Sequence, residues 1–481
     1  MTQNSRRTVR LIDVTLRDAH QCLWATRMTT GMMKPVAGHL DNAGFEAIDL
    51  VGGAVFDVAV RFLREDPWER MRILNQWVTK TPLIVHHRGQ SLFTFEYFPD
   101  DVVALTAERM AANGIRYHTT YDALNDTRNL EVPIKAAKAA GIYVVAGFVY
   151  TVSPVHTDEY YVQRIREMIA LGADAIFLKD PSGLLTPERA MTLVPAARKA
   201  CGELPLQVHS HCLSGLAPYV LLRCAEYGAD VLHTATSTLA NGASHPATEA
   251  VVRNLGHAGF DTGVDLAEIE QAADKLRYIA WREGKPVGEI NEYDAFHYRH
   301  QVPGGMISNL KAQLAEMGMS DRLQELLEEA ARVREELGYP ILVSPFAQYV
   351  ATQAFLNVTG KGRYEAVADE VRQYVLGYFG QVPGPIDGNL FDRITRGREP
   401  VTGRTGEYVE PRLEEWRRRY GPFKSDDDLL LSIFYNRQTY DALKAAGPID
   451  TRYSIGDSPA AALARGVAER RWVRAFSLRA D

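Results

Sequence analysis

The stretch LQVHSH places His209 and His211 two residues apart. If the segment is extended, both rings point to one face, because side chains alternate along a strand. An imidazole pair so arranged suits zinc, manganese or cobalt, and it equally suits two hydrogen-bonded histidines with no metal. Asp18, in RDAHQ, would add a carboxylate if the fold brought it near. A third stretch, AIFLKDPSG, ends an apolar run on Lys179, with Asp180 and a Pro-Ser-Gly turn after it. An ammonium there would repel a cation and has no lone pair to offer, so its plain role is to reach solvent or pair with Asp180. Desolvation changes that chemistry. A buried lysine loses its proton more readily, and its neutral amine can act as a nucleophile or capture CO2 as an anionic carbamate with two oxygens.

Residues this far apart must be gathered by the fold. Eight β-rich runs fall at residues 11–16, 47–52, 83–88, 115–121, 142–150, 174–179, 206–211 and 230–236, with starts 24 to 36 residues apart. That step is one strand-helix unit. Several runs follow a glycine that can end a helix, as in AAGIYVV and ALGADAIF. Eight such units predict an α/β chain folded as a TIM (β/α)8 barrel, whose chemistry gathers at the C-terminal strand ends. A doubly wound open sheet is the other arrangement, but no GxGxxG follows the first run. On a barrel the strand ends would collect Arg17, Asp18, His20 and Gln21, then Arg88, Asp122, Lys179 and the two histidines.

Beyond about residue 290 the pattern turns helical. Residues 320–339, with Ser320 as N-cap, 363–380 and 426–447 all read as helices, and VPGPIDG and TRGREPVTGRTG read as connectors. The chain thus divides into a barrel (1–295), a helical domain (296–460) and a C-terminal tail (461–481). With 46% hydrophobic and 24% charged residues, the composition is that of a globular protein. A net charge of −6 leaves no basic excess for nucleic acid. No apolar run is long enough for membrane insertion, and MTQNSRRTVR lacks the apolar stretch of a signal peptide. Cys22, Cys201, Cys212 and Cys224 form no CxxC pair, which fits a reducing compartment and places the protein in the cytoplasm.

Longer stretches carry a family resemblance. RDAHQCLWATR, FLKDPSGLLTP, the HSH run to Gly215, SHPATEAVV and HQVPGGMISNL resemble the carboxyltransferase component of biotin-dependent enzymes acting on 2-oxo acids. That family includes pyruvate carboxylase, oxaloacetate decarboxylase α subunits and the transcarboxylase 5S subunit. The resemblance runs from about residue 8 to about residue 450. It implies a TIM barrel followed by a helical domain that funnels into the site. It also implies a divalent transition metal (Zn, Mn or Co) held by Asp18, a carbamylated Lys179, His209 and His211. Arg17 and Gln21 would bind the carboxylate and oxo group of a 2-oxo acid, and Arg88 would steady the developing enolate. Family members pass a proton between the substrate methyl and biotin N1 through a threonine in V-T-P-x-S. This chain reads VSPFAQ there, so Ser344 takes that place. A serine hydroxyl can relay a proton but lacks the methyl that fixes the rotamer. Read without the resemblance, Ser344 is a turn or cap residue before Pro345.

The chain also departs from the family. Relatives usually read H-T-H-D-T-x-G, where this chain has Cys212 and Leu213 in place of the acidic and hydroxyl residues, and Cys22 replaces the serine common after RDAHQ. These positions adjoin the ligands, so the acceptor stays open between pyruvate or oxaloacetate and a longer oxo acid such as 2-oxoglutarate. A biotinylated lysine sits in an A/V-M-K-M context, and the nearest match, GMMKP at 31–35, is flanked differently. A barrel with a helical domain leaves no room for an ATP-grasp carboxylase. The resemblance therefore implies one subunit that works with a separate biotin carboxyl carrier protein and biotin carboxylase subunit, as a homodimer or larger assembly. Two other readings stand beside it. DVTLRD also resembles the first strand of metal-dependent aldol-type lyases and 2-isopropylmalate synthases, although those favour G-x-Q after RD and lack the carbamylated lysine. A barrel kept only as a scaffold would not need its polar strand ends intact.

Overall fold

The computed structural model describes residues 6–302, 307, 310 and 314–456. Its strands are β1 (Arg10–Asp13), β2 (Ala47–Gly52), β3 (Leu83–Arg88), β4 (Tyr117–Tyr121), β5 (Tyr143–Val149), β6 (Ala175–Asp180), β7 (Leu206–Ser210) and β8 (Val231–Thr234). All pair in parallel and in sequence order, and β8 closes on β1 with Leu11 opposite Leu232. The expected barrel is present. Both faces of each strand are covered, so the strands read as nearly unbroken apolar runs. Gly141 (φ +75°) and Gly172 (φ +100°) end the helices before β5 and β6, in a backbone region that other residues enter at a cost.

The first strand is shorter than its apolar pattern. It stops at Asp13, whose carboxylate accepts the Thr15 hydroxyl at 2.6 Å and the Thr15 N–H at 3.1 Å. These bonds turn the chain into a π-helical turn, Thr15–Ala19, that carries Arg17 and Asp18 into the barrel mouth, where both are buried.

The helical region differs from its sequence pattern in three places. Ser320 opens a 3-10 turn, Ser320–Arg322, and caps nothing; the α-helix runs Leu323–Glu336. The 363–380 helix shrinks to Asp369–Val375, because Arg363 is held by Glu329 and Glu336 and Tyr364 takes a left-handed φ of +55°. The 426–447 helix is two, Asp426–Phe434 and Arg437–Ala446, since the Asn436 side chain accepts from Thr439 N and starts a new one.

Two apolar cores result. One fills the barrel and extends to Leu429, Leu430, Leu431 and Leu443, so the last helices pack on the barrel wall. The other joins the helices Leu323–Glu336, Phe346–Thr359 and Asp369–Val375 to Tyr121, Ala123, Leu124 and Val149 at the barrel mouth. Among the described residues, no helix is long and apolar enough to cross a membrane. The tail at 461–481 and part of HQVPGGMISNL lie outside the described residues.

Candidate active site and metal centre

A cavity of about 290 Å³ opens at the C-terminal ends of the strands. Arg17, Asp18, Gln21 and Cys22 line it from the turn after β1, Arg88 from the end of β3, Lys179 from β6, and His211 from just beyond β7. Leu342, Val343 and Ser344 complete it from the helical region. A glycine pair after β2 makes the space. A Cβ on Gly52 would stand 2.9 Å from Arg17 Cδ, and one on Gly53 would stand 2.9 Å from both terminal nitrogens of Arg88.

The two arginines differ in how they are paired. Arg17 donates from Nε to Asp49 at 2.7 Å, and its Nη1 lies 3.0 Å from Asp18 Oδ2. Arg88 donates to the Thr94 carbonyl at 2.6 Å, lies over the Phe95 ring and has no carboxylate partner among the described residues. Gln21 and Ser344 likewise have no side-chain hydrogen-bond partner among the described residues, so Ser344 caps no helix.

Deeper in the mouth, Asp18, His209, His211 and His245 each offer one ligand atom, all within 4.8 Å of one another. Asp18 Oδ2 is buried and makes no hydrogen bond of good geometry, although His209 Nε2 is 3.2 Å away and His211 Nε2 3.5 Å. Burial alone would raise the Asp18 pKa, but the Arg17 guanidinium beside it holds it well below the usual carboxylate range. The His211 Nδ1–H donates to the Ala243 carbonyl at 2.8 Å, which leaves a lone pair on Nε2. His233 donates from Nε2 to Gln207 Oε1, so its Nδ1 accepts from His209 Nδ1–H at 3.2 Å, and the His209 Nε2 lone pair also faces inward. Burial keeps His209 and His245 neutral. A carboxylate and neutral imidazoles converging in a buried pocket fit a divalent transition ion.

The comparisons with known proteins point the same way. Residues 298–465 match a family described as a conserved carboxylase domain, and residues 106–276 match an HMGL-like family. A pyruvate carboxylase subunit of Methanocaldococcus jannaschii is 41% identical over 458 residues, covering 93% of this chain and 80% of that protein. The chain belongs to the pyruvate carboxylase-type carboxyltransferase family. The 2-oxoglutarate carboxylase large subunit of Hydrogenobacter thermophilus is 36% identical over 446 residues, covering 91% of this chain and 68% of the relative. The carboxyl transferase domain of Rhizobium etli pyruvate carboxylase superposes with a TM-score of 0.86 at 27% identity, covering 93% of this chain and 78% of that one. The protein is an enzyme of this biotin-dependent kind.

In this carboxyltransferase the residues singled out in the sequence do meet: Arg17, Asp18, Gln21, Arg88, Lys179, His211 and Ser344 share one cavity, with His209 directly behind. Asp180 is no partner for Lys179, because its carboxylate accepts Leu184 N, Leu185 N and the Ser210 hydroxyl. Lys179 makes no ion pair with a described residue; burial pulls its pKa to about 8 while Asp18 pulls it back up. Asp122 turns away and accepts the N–H groups of Leu124 and Asp126, and Tyr121 lines the cavity in its stead. Tyr121, His245 and the Gly52–Gly53 pair were missed in the sequence. The signals were the residue before Asp122, the histidine inside SHPATEAVV, and the double glycine ending the second strand.

Proposed function

We propose that this chain moves a carboxyl group between carboxybiotin and a small 2-oxo acid, with pyruvate and oxaloacetate as the acceptor pair. The observation that supports it most is one cavity that borders the ligand cluster and is lined by an arginine with no carboxylate partner, and a hydroxyl with no hydrogen-bond partner, among the described residues. A divalent Zn, Mn or Co ion held by Asp18, His209, His211 and a carbamylated Lys179 would supply Lewis acidity toward the oxo oxygen of the acceptor. The carbamate forms when the neutral Lys179 amine adds to CO2, making an N–C bond and releasing one proton.

The remaining work falls to the chain. Arg17 is neutralised by Asp49 and Asp18, so it holds Asp18 in place and offers hydrogen bonds with little net charge. Arg88 brings the free positive charge that meets the substrate carboxylate and the growing enolate. Gln21 orients the oxo group. As the N1–C bond of carboxybiotin breaks and frees CO2, the Ser344 hydroxyl takes the proton leaving the substrate methyl and delivers it to N1, and the enolate left behind forms its new C–C bond to that CO2. One free guanidinium suits a monocarboxylate acceptor better than 2-oxoglutarate. Leu213, Ala243, Leu342 and Val343 line the same cavity and help keep water from the reacting carbon.

On this reading biotin arrives on a separate carrier protein charged by a biotin carboxylase subunit, in keeping with relatives that are themselves named as single subunits of carboxylases. The helices between residues 296 and 460 form the funnel that admits the carrier arm, and copies of the chain assemble as a homodimer or larger. Four free thiols suit the cytoplasm.

Purified, metal-loaded protein should decarboxylate oxaloacetate faster when free biotin is added. Ser344→Ala should lose that stimulation by about 100-fold or more, and Ser344→Thr should keep it. Turnover indifferent to biotin with every 2-oxo acid tried would sink the proposal and favour an aldol-type lyase.

A further inference from the structure

We propose that His245 is a protein ligand of the metal centre, so that Asp18, His209, His211 and His245 hold the ion before Lys179 carries a carbamate. The inference rests on the metal-centred reading above and deepens it.

Distances carry the first step. Asp18 Oδ2 lies 3.2, 3.5 and 3.6 Å from Nε2 of His209, His211 and His245. His209 Nε2 lies 3.1 Å from His211 Nε2 and 2.9 Å from His245 Nε2. Four donors bound tetrahedrally to one ion at about 2.0–2.1 Å would stand roughly 3.3 Å apart. The observed separations bracket that edge.

Proton counting carries the second. The Nδ1–H groups of His209 and His211 are engaged by His233 and Ala243, so both Nε2 lone pairs face His245. An Nε2–H on His245 could serve one of them and not both. The other lone pair would then stay buried without a partner, which is costly, and Asp18 Oδ2 would keep only the Arg17 guanidinium at 3.0 Å. A single cation satisfies all four donors.

The third step is the backbone that fixes His245. Asn241, at φ +66°, donates its N–H to the His245 carbonyl at 2.7 Å and accepts the Ser244 N–H at 2.8 Å. The Ser244 carbonyl in turn accepts the Cys212 N–H at 2.8 Å, tying this loop to the one that carries His211. His245 is fully buried and therefore held at the cluster in the absence of any ion. The Lys179 carbamate then adds a further oxygen donor, and CO2 governs activity and not metal retention.

The test titrates chelator-stripped protein with Co(II) in CO2-depleted buffer, reading bound metal by elemental analysis and coordination by visible absorption. Wild type and Lys179→Ala should each take up about one cobalt per chain. His245→Gln and His245→Ala should bind it on the order of 100-fold more weakly, with an altered spectrum, while circular dichroism shows the barrel intact. If both His245 variants keep wild-type affinity and spectrum while His209→Ala loses cobalt, the His245 assignment falls and the metal reading stands. If Lys179→Ala loses cobalt as fully as they do, the claim of binding ahead of the carbamate falls. No uptake by wild type would instead overturn the metal reading of the site itself.

Discussion

Lys179 carries the most consequential proton in the cavity. Its side chain is only 4% exposed, and burial lowers its pKa from 10.5 to about 8. At pH 8 about half of such amines are neutral, and at pH 7 about a tenth, which is enough to react with CO2. The same shift has a stability consequence with a definite sign. Between pH 8 and 10.5 the unfolded chain binds a proton that the folded chain has released, so stability rises with pH through that window. Below pH 8 the fold carries the whole penalty, up to about 3 kcal/mol. Lys179→Met keeps the aliphatic stem and removes the titrating group. In metal-free, CO2-free protein it should therefore raise Tm at pH 7, and the gain should shrink to nothing as pH climbs from 8 to 10.5. A variant less stable than wild type at pH 7 would show that the ammonium is well paired after all.

Among the elements, the junction after β2 decides how the arginines stand. Gly53 begins the helix Gly53–Val58 with ordinary backbone angles, so its glycine is needed for space and not for conformation. A methyl there would meet only the flexible tip of Arg88. Gly53→Ala should leave the fold and metal content unchanged but push the guanidinium aside, raising KM for the 2-oxo acid roughly tenfold, about 1.4 kcal/mol. Unchanged KM would remove Arg88 from substrate binding. Elements of this kind were unevenly legible in the sequence. The eight strands showed because covered parallel strands are apolar throughout, and HSH showed because alternation puts both rings on one face. The end of β1 did not, because the Asp13–Thr15 hydrogen bonds compete locally with the strand. The shortening of the 363–380 helix depends on Glu329 and Glu336, more than 25 residues away in the chain. Arg17 gave no hint that Asp49 neutralises it, and His245 reaches the cluster only through the path of its loop.

At the scale of the molecule, Ser344, the proposed proton relay, reaches the barrel mouth from a segment packed in a different apolar core, so its placement depends on how the two cores are joined. The buried Arg334 makes that joint. It donates to the Pro340 carbonyl at 3.0 Å, just before the segment that bears Ser344, and across to Thr151 Oγ1 at 2.9 Å and the Val152 carbonyl at 3.0 Å beyond β5. Gln301 supports the same loop, accepting from the Thr151 hydroxyl and donating to the Val152 carbonyl. Burial lowers the Arg334 pKa only to about 10, so it stays charged at neutral pH. Arg334→Met would fill much of the volume and leave the Gln301 bonds in place, so the chain should still fold and bind metal, with the Ser344 segment loosened. Biotin-stimulated turnover should drop by about tenfold or more while KM for the oxo acid holds. A double-mutant cycle then separates positioning from general damage. If Arg334 acts through Ser344, adding Arg334→Met to Ser344→Ala should cost little more than Ser344→Ala alone, because the group it positions is already gone. Losses that simply multiply would show that Arg334 serves the enzyme by another route and would detach the relay from the joint between the cores.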